Sequence, residues 1–293
     1  MSSTEKFPAQ TVPGIRALKG KRPIAAVTAY DFTFASLIDR ADIDLVLVGD
    51  SLGMVIQGLS STLPVTLEEM IYHTKAVARG TTRALLVSDL PFLSYQTDLP
   101  TAIRSAGALL KDGGAAAVKC EGGVHIADTV KRLVDLDIPV MGHVGMTPQS
   151  VHRMGGFKVQ GREHRSGGAL QAGSWEQIMD DALAIAQAGA FSLVIECVPA
   201  ELAREITQAV SIPTIGIGAG PHCDGQILVS YDVLGLTTGR IPSFVGQPGN
   251  LGSAAVEILR NYSADVRSGA FPHSPATSVV AARKRAARKP KRR

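Results

Sequence analysis

Short apolar runs that end abruptly in a charged residue recur along this chain. Segments whose apolar positions repeat every three or four residues separate them. Leu45-Val46-Leu47-Val48 is apolar on both faces of the alternation, as a strand covered on both sides requires, and it breaks at Gly49-Asp50-Ser51. Ala84–Ser88 delivers Asp89, Ala116–Val118 delivers Lys119 and Glu121, and Phe191–Ile195 delivers Glu196. A carboxylate at the end of a buried strand costs free energy unless a cation or a set of donors compensates it. The repetition therefore predicts one site fed by several strands.

Taken in order, the pattern predicts an arm over residues 1–20 with a short helix near Val12–Leu18, then strand Ile24–Ala29, helix Phe32–Arg40 and strand Leu45–Gly49. A glycine-bearing loop spans 51–66, and Thr66 with Glu69 forms a capping box for helix Leu67–Arg79. Strands Ala84–Asp89, Ala116–Cys120, Val140–His143, Phe191–Cys197 and Thr214–Ile217 alternate with helices Thr101–Leu110, Ile126–Leu136, Trp175–Ala188 and Ala200–Ala209. The eighth strand is either Gln226–Val229 or Tyr231–Leu236, and residues 254–262 form a last helix. The polar, glycine-rich stretch over 149–173 is long enough to be a functional lid or a disordered loop.

Strands alternating with helices predict an α/β fold with a parallel sheet, and eight strands is the closure number of a (β/α)8 TIM barrel. An open doubly wound sheet would need Gly-Ile-Gly-Ala-Gly, residues 216–220, as an early dinucleotide fingerprint; it is late and mis-spaced. Residues 1–278 are accordingly expected to be one catalytic barrel with an N-terminal arm. Catalytic groups of such barrels come from C-terminal strand ends. Asp50, Asp89, Lys119, Glu121, His143 and Glu196 fall at such ends.

Composition changes the picture in two places. The net charge of +4 is carried by residues 279–293, which hold eight Lys or Arg and no acid, so the remainder is mildly acidic. The tail is expected to be a disordered appendage, and no basic cluster marks the barrel for nucleic acid. No apolar run approaches a membrane span, and no charged-then-apolar leader opens the chain. Cys120, Cys197 and Cys223 show no pairing motif and are expected to be buried thiols in a reducing cytoplasm.

Asp50 and Asp89, at the ends of adjacent strands with Glu121 beside them, repel unless a cation sits between them. Oxygen ligands without a His or Cys cluster suit Mg²⁺ or Mn²⁺. The plainer use of either Asp is to cap the helix that follows it. Lys119 and Glu121 share parity, so both face the interior. Such a Lys can stabilise an enolate oxygen, form a Schiff base, or merely pair with Glu121. Glu196, alone across the barrel, suits proton abstraction beside a carbonyl, or else a hydrogen bond to a turn. His143 is placed either against substrate or as a satisfied core residue. The residues alone thus reach a metal-dependent enolising enzyme of a 2-oxo acid.

The blocks VTAYD (27–31), VGDSLGM (48–54), STLPVT (61–66), YHT (72–74) and SDLPF (88–92) continue as VKCEGG (118–123), GHVGMTPQS (142–150) and GGFKVQGR (155–162). IECVP (195–199), IGIGAG (215–220) and DGQILV (224–229) follow. Over about residues 10–272 this order resembles the ketopantoate hydroxymethyltransferases. The resemblance implies a barrel of the phosphoenolpyruvate/pyruvate type, bound Mg²⁺ and a homo-oligomer, commonly a decamer. It also implies transfer of a one-carbon unit from 5,10-methylenetetrahydrofolate to 3-methyl-2-oxobutanoate, giving 2-dehydropantoate. Asp50, Asp89 and Glu121 match metal positions, Asp50, Ser51, Asp89 and Lys119 match keto-acid positions, and Glu196 matches the base. A carbon–carbon lyase or mutase of the same barrel type is the competing function.

Overall fold

Each barrel strand of this chain pairs in parallel with the next, and the first also pairs with the last. In the computed structural model, which describes residues 9–164 and 173–272, the strands close in sequence order from β1 to β8. They are β1 (Ile24–Thr28), β2 (Leu45–Val48), β3 (Leu85–Asp89), β4 (Ala117–Glu121), β5 (Val140–Gly145), β6 (Ser192–Glu196), β7 (Thr214–Ile217) and β8 (Gly225–Leu228). The helices are α1 (Val12–Arg16), α2 (Phe32–Asp39), α3 (Leu52–Val55), α4 (Leu67–Gly80), α5 (Leu99–Lys111) and α6 (Ala127–Val134). They continue with α7 (Val151–Met154), α8 (Trp175–Gln187), α9 (Ala200–Ala209), α10 (Ser230–Leu234) and α11 (Leu251–Ser268).

Alternation divides the apolar side chains into two cores. Val46, Val48, Leu86, Val118, Val140 and Ile195 point outward against the helices. Leu45, Leu47, Leu85, Val87, Ala117 and Met141 fill the interior, and Ile15 of α1 joins that inner layer. The inner parity carries on into Asp89, Lys119, Glu121, His143 and Glu196, so the same rule that fills the barrel aims the charged groups into its mouth.

The capping box of α4 forms as expected: Glu69 N–H donates to Thr66 Oγ1 at 3.2 Å, and Thr66 N–H donates to Glu69 Oε2 at 2.8 Å. Several boundaries differ from the sequence reading. The eighth strand is Gly225–Leu228, and the alternative segment is α10, which Gly235 ends in the left-handed conformation at φ 67°. β5 runs on to Gly145, which leaves His143 within the strand rather than at its end. The loop over 51–66 contains α3, and the 149–173 stretch begins with α7; its residues 165–172 lie outside the described residues, as does the 279–293 tail.

α11 is far longer than the expected 254–262 because its apolar stripe continues to Val266 before Gly269 stops it. It buries none of its side chains. The barrel wall is also bare in one place: outward-facing Ala25 of β1 and Gln226 of β8 are exposed, where the other strands are covered by a helix.

Candidate functional site

The interstrand register sets the order of charges. Asp89 on β3 lies opposite Lys119 on β4, and Glu121 on β4 lies opposite His143 on β5. The Lys119 ammonium sits 2.6 Å from Asp89 Oδ1 and 3.8 Å from Glu121 Oε1. His143 Nδ1 lies 3.5 Å from Glu121 Oε1, and its Nε2 lies 3.1 Å from Glu196 Oε2. Asp50, at the end of β2, donates its backbone N–H to Asp89 Oδ2 at 3.0 Å. From β6 to β2 the mouth is therefore crossed by a chain of alternating sign: Glu196, His143, Glu121, Lys119, Asp89 and, beyond it, Asp50.

Burial and neighbours pull these groups in different directions. Burial alone pushes the Lys119 ammonium down, but Asp89, Glu121 and Asp50 together raise it above the ordinary lysine value, so it stays charged. Burial and Lys119 push His143 down as well, and the Glu121 and Glu196 carboxylates still carry it up to about 9. Asp50 goes the other way. Burial, reinforced by Asp89 and Glu121, drives its carboxyl well above the usual range. Asp89 is also raised, by burial, against the opposing pull of Lys119.

The site thus contains a buried carboxyl, Asp50, that holds its proton more tightly than usual for want of positive charge nearby. The Lys119–Asp89 contact at 2.6 Å is an ion pair at a poor angle, since the same Oδ1 finds no aligned donor. Among the described residues no three His, Cys, Asp or Glu side chains converge as a closed metal cage. An open pair of carboxylates is the arrangement that suits Mg²⁺, which keeps waters and binds through one or two carboxylates plus substrate oxygens. The residues fit such an ion.

Near Asp50, the Ser51 hydroxyl is held by the Tyr30 hydroxyl at 2.8 Å. After Glu196, Cys197 is in the left-handed region at φ 47°, a strained position for a residue with a side chain. Gly145 has φ 94°, and a Cβ there would lie 2.3 Å from the carbonyl oxygen of Glu196. Only glycine allows β5 to approach β6 this closely behind the carboxylate. Sequence reading missed Tyr95 and Gln149. Both are buried, and Gln149 donates its side-chain amide to Asp50 Oδ2 at 2.9 Å. A polar residue in a glycine-rich loop carries no periodic signal, so only the GHVGMTPQS block hinted at it.

The sequence model for ketopantoate hydroxymethyltransferase matches residues 9–274. The chain belongs to that family. Similar proteins include the 3-methyl-2-oxobutanoate hydroxymethyltransferase of Geobacter metallireducens, 51% identical over 264 residues, which cover 90% of this chain and 96% of that one. The enzyme of the same name from Moorella thermoacetica is 55% identical over 264 residues, covering 89% and 95%. Among solved structures, phosphonopyruvate hydrolase in complex with oxalate and Mg²⁺ superposes with a TM-score of 0.58 at 12% identity, covering 92% of this chain and 91% of that one. A 2,3-dimethylmalate lyase of the PEP mutase/isocitrate lyase superfamily gives 0.55 at 15% identity, covering 92% and 91%. These two structures show the shared barrel. Family membership makes this chain a hydroxymethyltransferase of pantothenate biosynthesis acting on small molecules.

In this member of the ketopantoate hydroxymethyltransferase family, His143 should link folding to pH. Its pKa rises from the ordinary 6.5 to about 9 on folding, so the folded state holds the proton more tightly. That contribution is fully present below pH 6.5 and is lost as pH rises through 9. The metal-free protein should therefore melt at progressively lower temperature across this window, and His143→Gln should flatten the profile. Parallel profiles for the parent and variant would refute the linkage.

Proposed function

We propose that this chain condenses a one-carbon unit from 5,10-methylenetetrahydrofolate with 3-methyl-2-oxobutanoate, and that Glu196 removes the C3 proton that starts the reaction. The observation that carries this reading is the charge chain, which has a solvent-reachable carboxylate at one end and a cation-hungry pair at the other. Glu196 is 13% exposed, against 3–5% for Lys119, Glu121, Asp89 and His143. Asp50 and Asp89 would hold Mg²⁺, with Glu121 lining the same pocket. When bound, the ion supplies Lewis acidity to the oxo and carboxylate oxygens of the keto acid.

The chain's own residues do the rest. Ser51 and Lys119 bind the keto acid's oxygens beside Asp50 and Asp89, and His143 faces it from β5. As the proton passes to Glu196, negative charge gathers on the oxo oxygen, where the fixed Lys119 ammonium stabilises it without reorganising. C3 then forms its new bond to a carbon at the formaldehyde oxidation level, water supplies the hydroxyl, and tetrahydrofolate leaves. Incubating the purified protein with both substrates and Mg²⁺ should yield 2-dehydropantoate by mass. Absence of product would favour a lyase or mutase of the same barrel type.

The bare wall and the exposed face of α11 support an assembly of several copies. Leu251, Ile258, Leu259, Tyr262 and Val266 of α11 lie at helical spacing and are exposed. We assign this stripe to a second copy of the chain, whose β8–β1 wall lacks a covering helix, in a homo-oligomer that the family resemblance would make a decamer. We assign the chain to the cytoplasm, whose reducing conditions suit the free thiols Cys120, Cys197 and Cys223.

Three outcomes test these assignments. Glu196→Gln should cost ~10²–10⁴ in rate and should fail to exchange the C3 proton of the keto acid for deuterium while still binding it; exchange at the parent rate would move the base elsewhere. Borohydride added with the keto acid should leave no adduct, because a lysine held as ammonium is no nucleophile; a stable mass increase on the peptide bearing Lys119 would establish an imine instead. Ile258→Asp with Leu259→Asp should lower the mass in solution by light scattering and leave the barrel folded. An unchanged mass would remove α11 from the interface.

A further inference from the structure

Gln149 follows β5 in the short helical turn Pro148–Ser150, outside every strand, yet it touches all the carboxylate-bearing elements on one side of the mouth. Its side-chain nitrogen donates to Asp50 Oδ2 at 2.9 Å and to the carbonyl oxygen of Leu90 at 3.0 Å. Its side-chain oxygen accepts from the Tyr95 hydroxyl at 2.8 Å and from Gln96 Nε2 at 2.9 Å. Its backbone N–H donates to Glu121 Oε2 at 2.9 Å. The amide orientation is not free. The Leu90 carbonyl only accepts, so the nitrogen must face it, and the same nitrogen then faces Asp50.

Tyr95 completes the lattice. Its hydroxyl accepts from Glu121 N–H at 2.9 Å, and its oxygen lies 2.8 Å from two acceptors, the Glu121 carbonyl and Gln149 Oε1, which share its single proton. Gln149, 7% exposed, therefore has both amide donors placed on acceptors, and its oxygen accepts from Gln96 and shares the Tyr95 proton with the Glu121 carbonyl. A buried network paired this densely has few low-energy arrangements, and removing one member leaves its partners unpaired in a site with little access to solvent. Asp50 Oδ1 makes no hydrogen bond among the described residues, so the network engages one carboxylate oxygen and leaves the other free.

We propose that Gln149 is a positioning residue: its amide fixes the rotation of the Asp50 carboxylate, and its backbone N–H fixes Glu121, so that one loop residue presets the spacing of the carboxylates from β2 and β4. This rests on the reading of Asp50 as a ligand of Mg²⁺. Residues that hold a ligand from behind typically affect metal affinity or activity by ~10–100-fold. The effect here is on affinity, because Gln149 touches the ligand and not the reacting atoms.

The test is calorimetric titration of Mg²⁺ into the metal-free full-length protein, with melting temperature as the control. Gln149→Met keeps the volume and removes the amide. It should weaken Mg²⁺ about tenfold or more and raise the Mg²⁺ concentration needed for half-maximal turnover in parallel, with turnover at saturating Mg²⁺ within about threefold of the parent. Unchanged affinity in a variant that melts like the parent would overturn the proposal. If Gln149→Met melts well below the parent, Tyr95→Phe decides: it removes only the hydroxyl that braces the amide, and Mg²⁺ affinity within experimental error of the parent would count against the network. Asp50→Asn separates the two readings. Unchanged affinity there would sink the metal site itself, whereas lost affinity there beside unchanged affinity in Gln149→Met would sink only the positioning role.

Discussion

A lysine ammonium buried among carboxylates is the interaction on which the mouth of this barrel depends. The Lys119 side chain is only 5% exposed, so its charge is tolerable because Asp89 and Glu121 stand within 4 Å. The dependence is mutual. Without the ammonium, those carboxylates would be buried like charges with one fewer cation between them, and removing one partner from a buried pair costs about 3–5 kcal/mol. Neither side can be changed alone, and the parallel register is what brings them together. A slip of one residue between β3 and β4 would turn Lys119 out toward the helices and leave Asp89 unpaired.

The opposite end of the barrel uses the same residue types for a different purpose. Asp39 accepts from Thr82 Oγ1 at 2.6 Å and from the backbone N–H groups of Arg83 and Ala84. Asp44 takes both guanidinium arms of Arg22 and the N–H of Ala25, and Asp224 takes Lys19 and the N–H of Thr214. Burial acts to raise all three, but these donors more than offset it and hold each carboxyl below its ordinary value. Asp50 and Asp89 are raised instead. Carboxylates at the bottom are finished by protein donors and stabilise the fold. Asp50 and Asp89 at the top are left short of donors, and that deficit is what a metal and a substrate can fill.

This contrast also decides what was legible in the sequence. Asp50 and Asp89 stood out because an apolar run ended on them, and the parity of Lys119 and Glu121 followed from a strand period of two. His143 was read as the end of a strand, since Gly145 hid two further residues of β5. Its position as the link between Glu121 and Glu196 needed the register. The eighth strand was ambiguous because Gly225–Leu228 is short and borders the apolar start of α10. α11 was cut short because its apolar positions face no core, so nothing in the rest of the chain marked where it should end. Tyr95 and Gln149 act through contacts between loops far apart in sequence, and no local pattern encodes such a meeting.

The charge state of His143 bears on which group can be the base. With a pKa of about 9, the ring carries protons on both nitrogens near neutral pH and has no lone pair to offer. It can donate to Glu121 on one side and to Glu196 on the other, but it cannot take a proton from carbon. Glu196 keeps an oxygen for that purpose while the imidazolium orients it from 3.1 Å. The same contact keeps like charges apart: the positive ring separates the proposed base from Glu121 and from Asp50 and Asp89, the proposed metal ligands. Proton removal and stabilisation of the developing negative charge can then be assigned to opposite sides of the barrel, as abstraction from one face of a chelated keto acid requires.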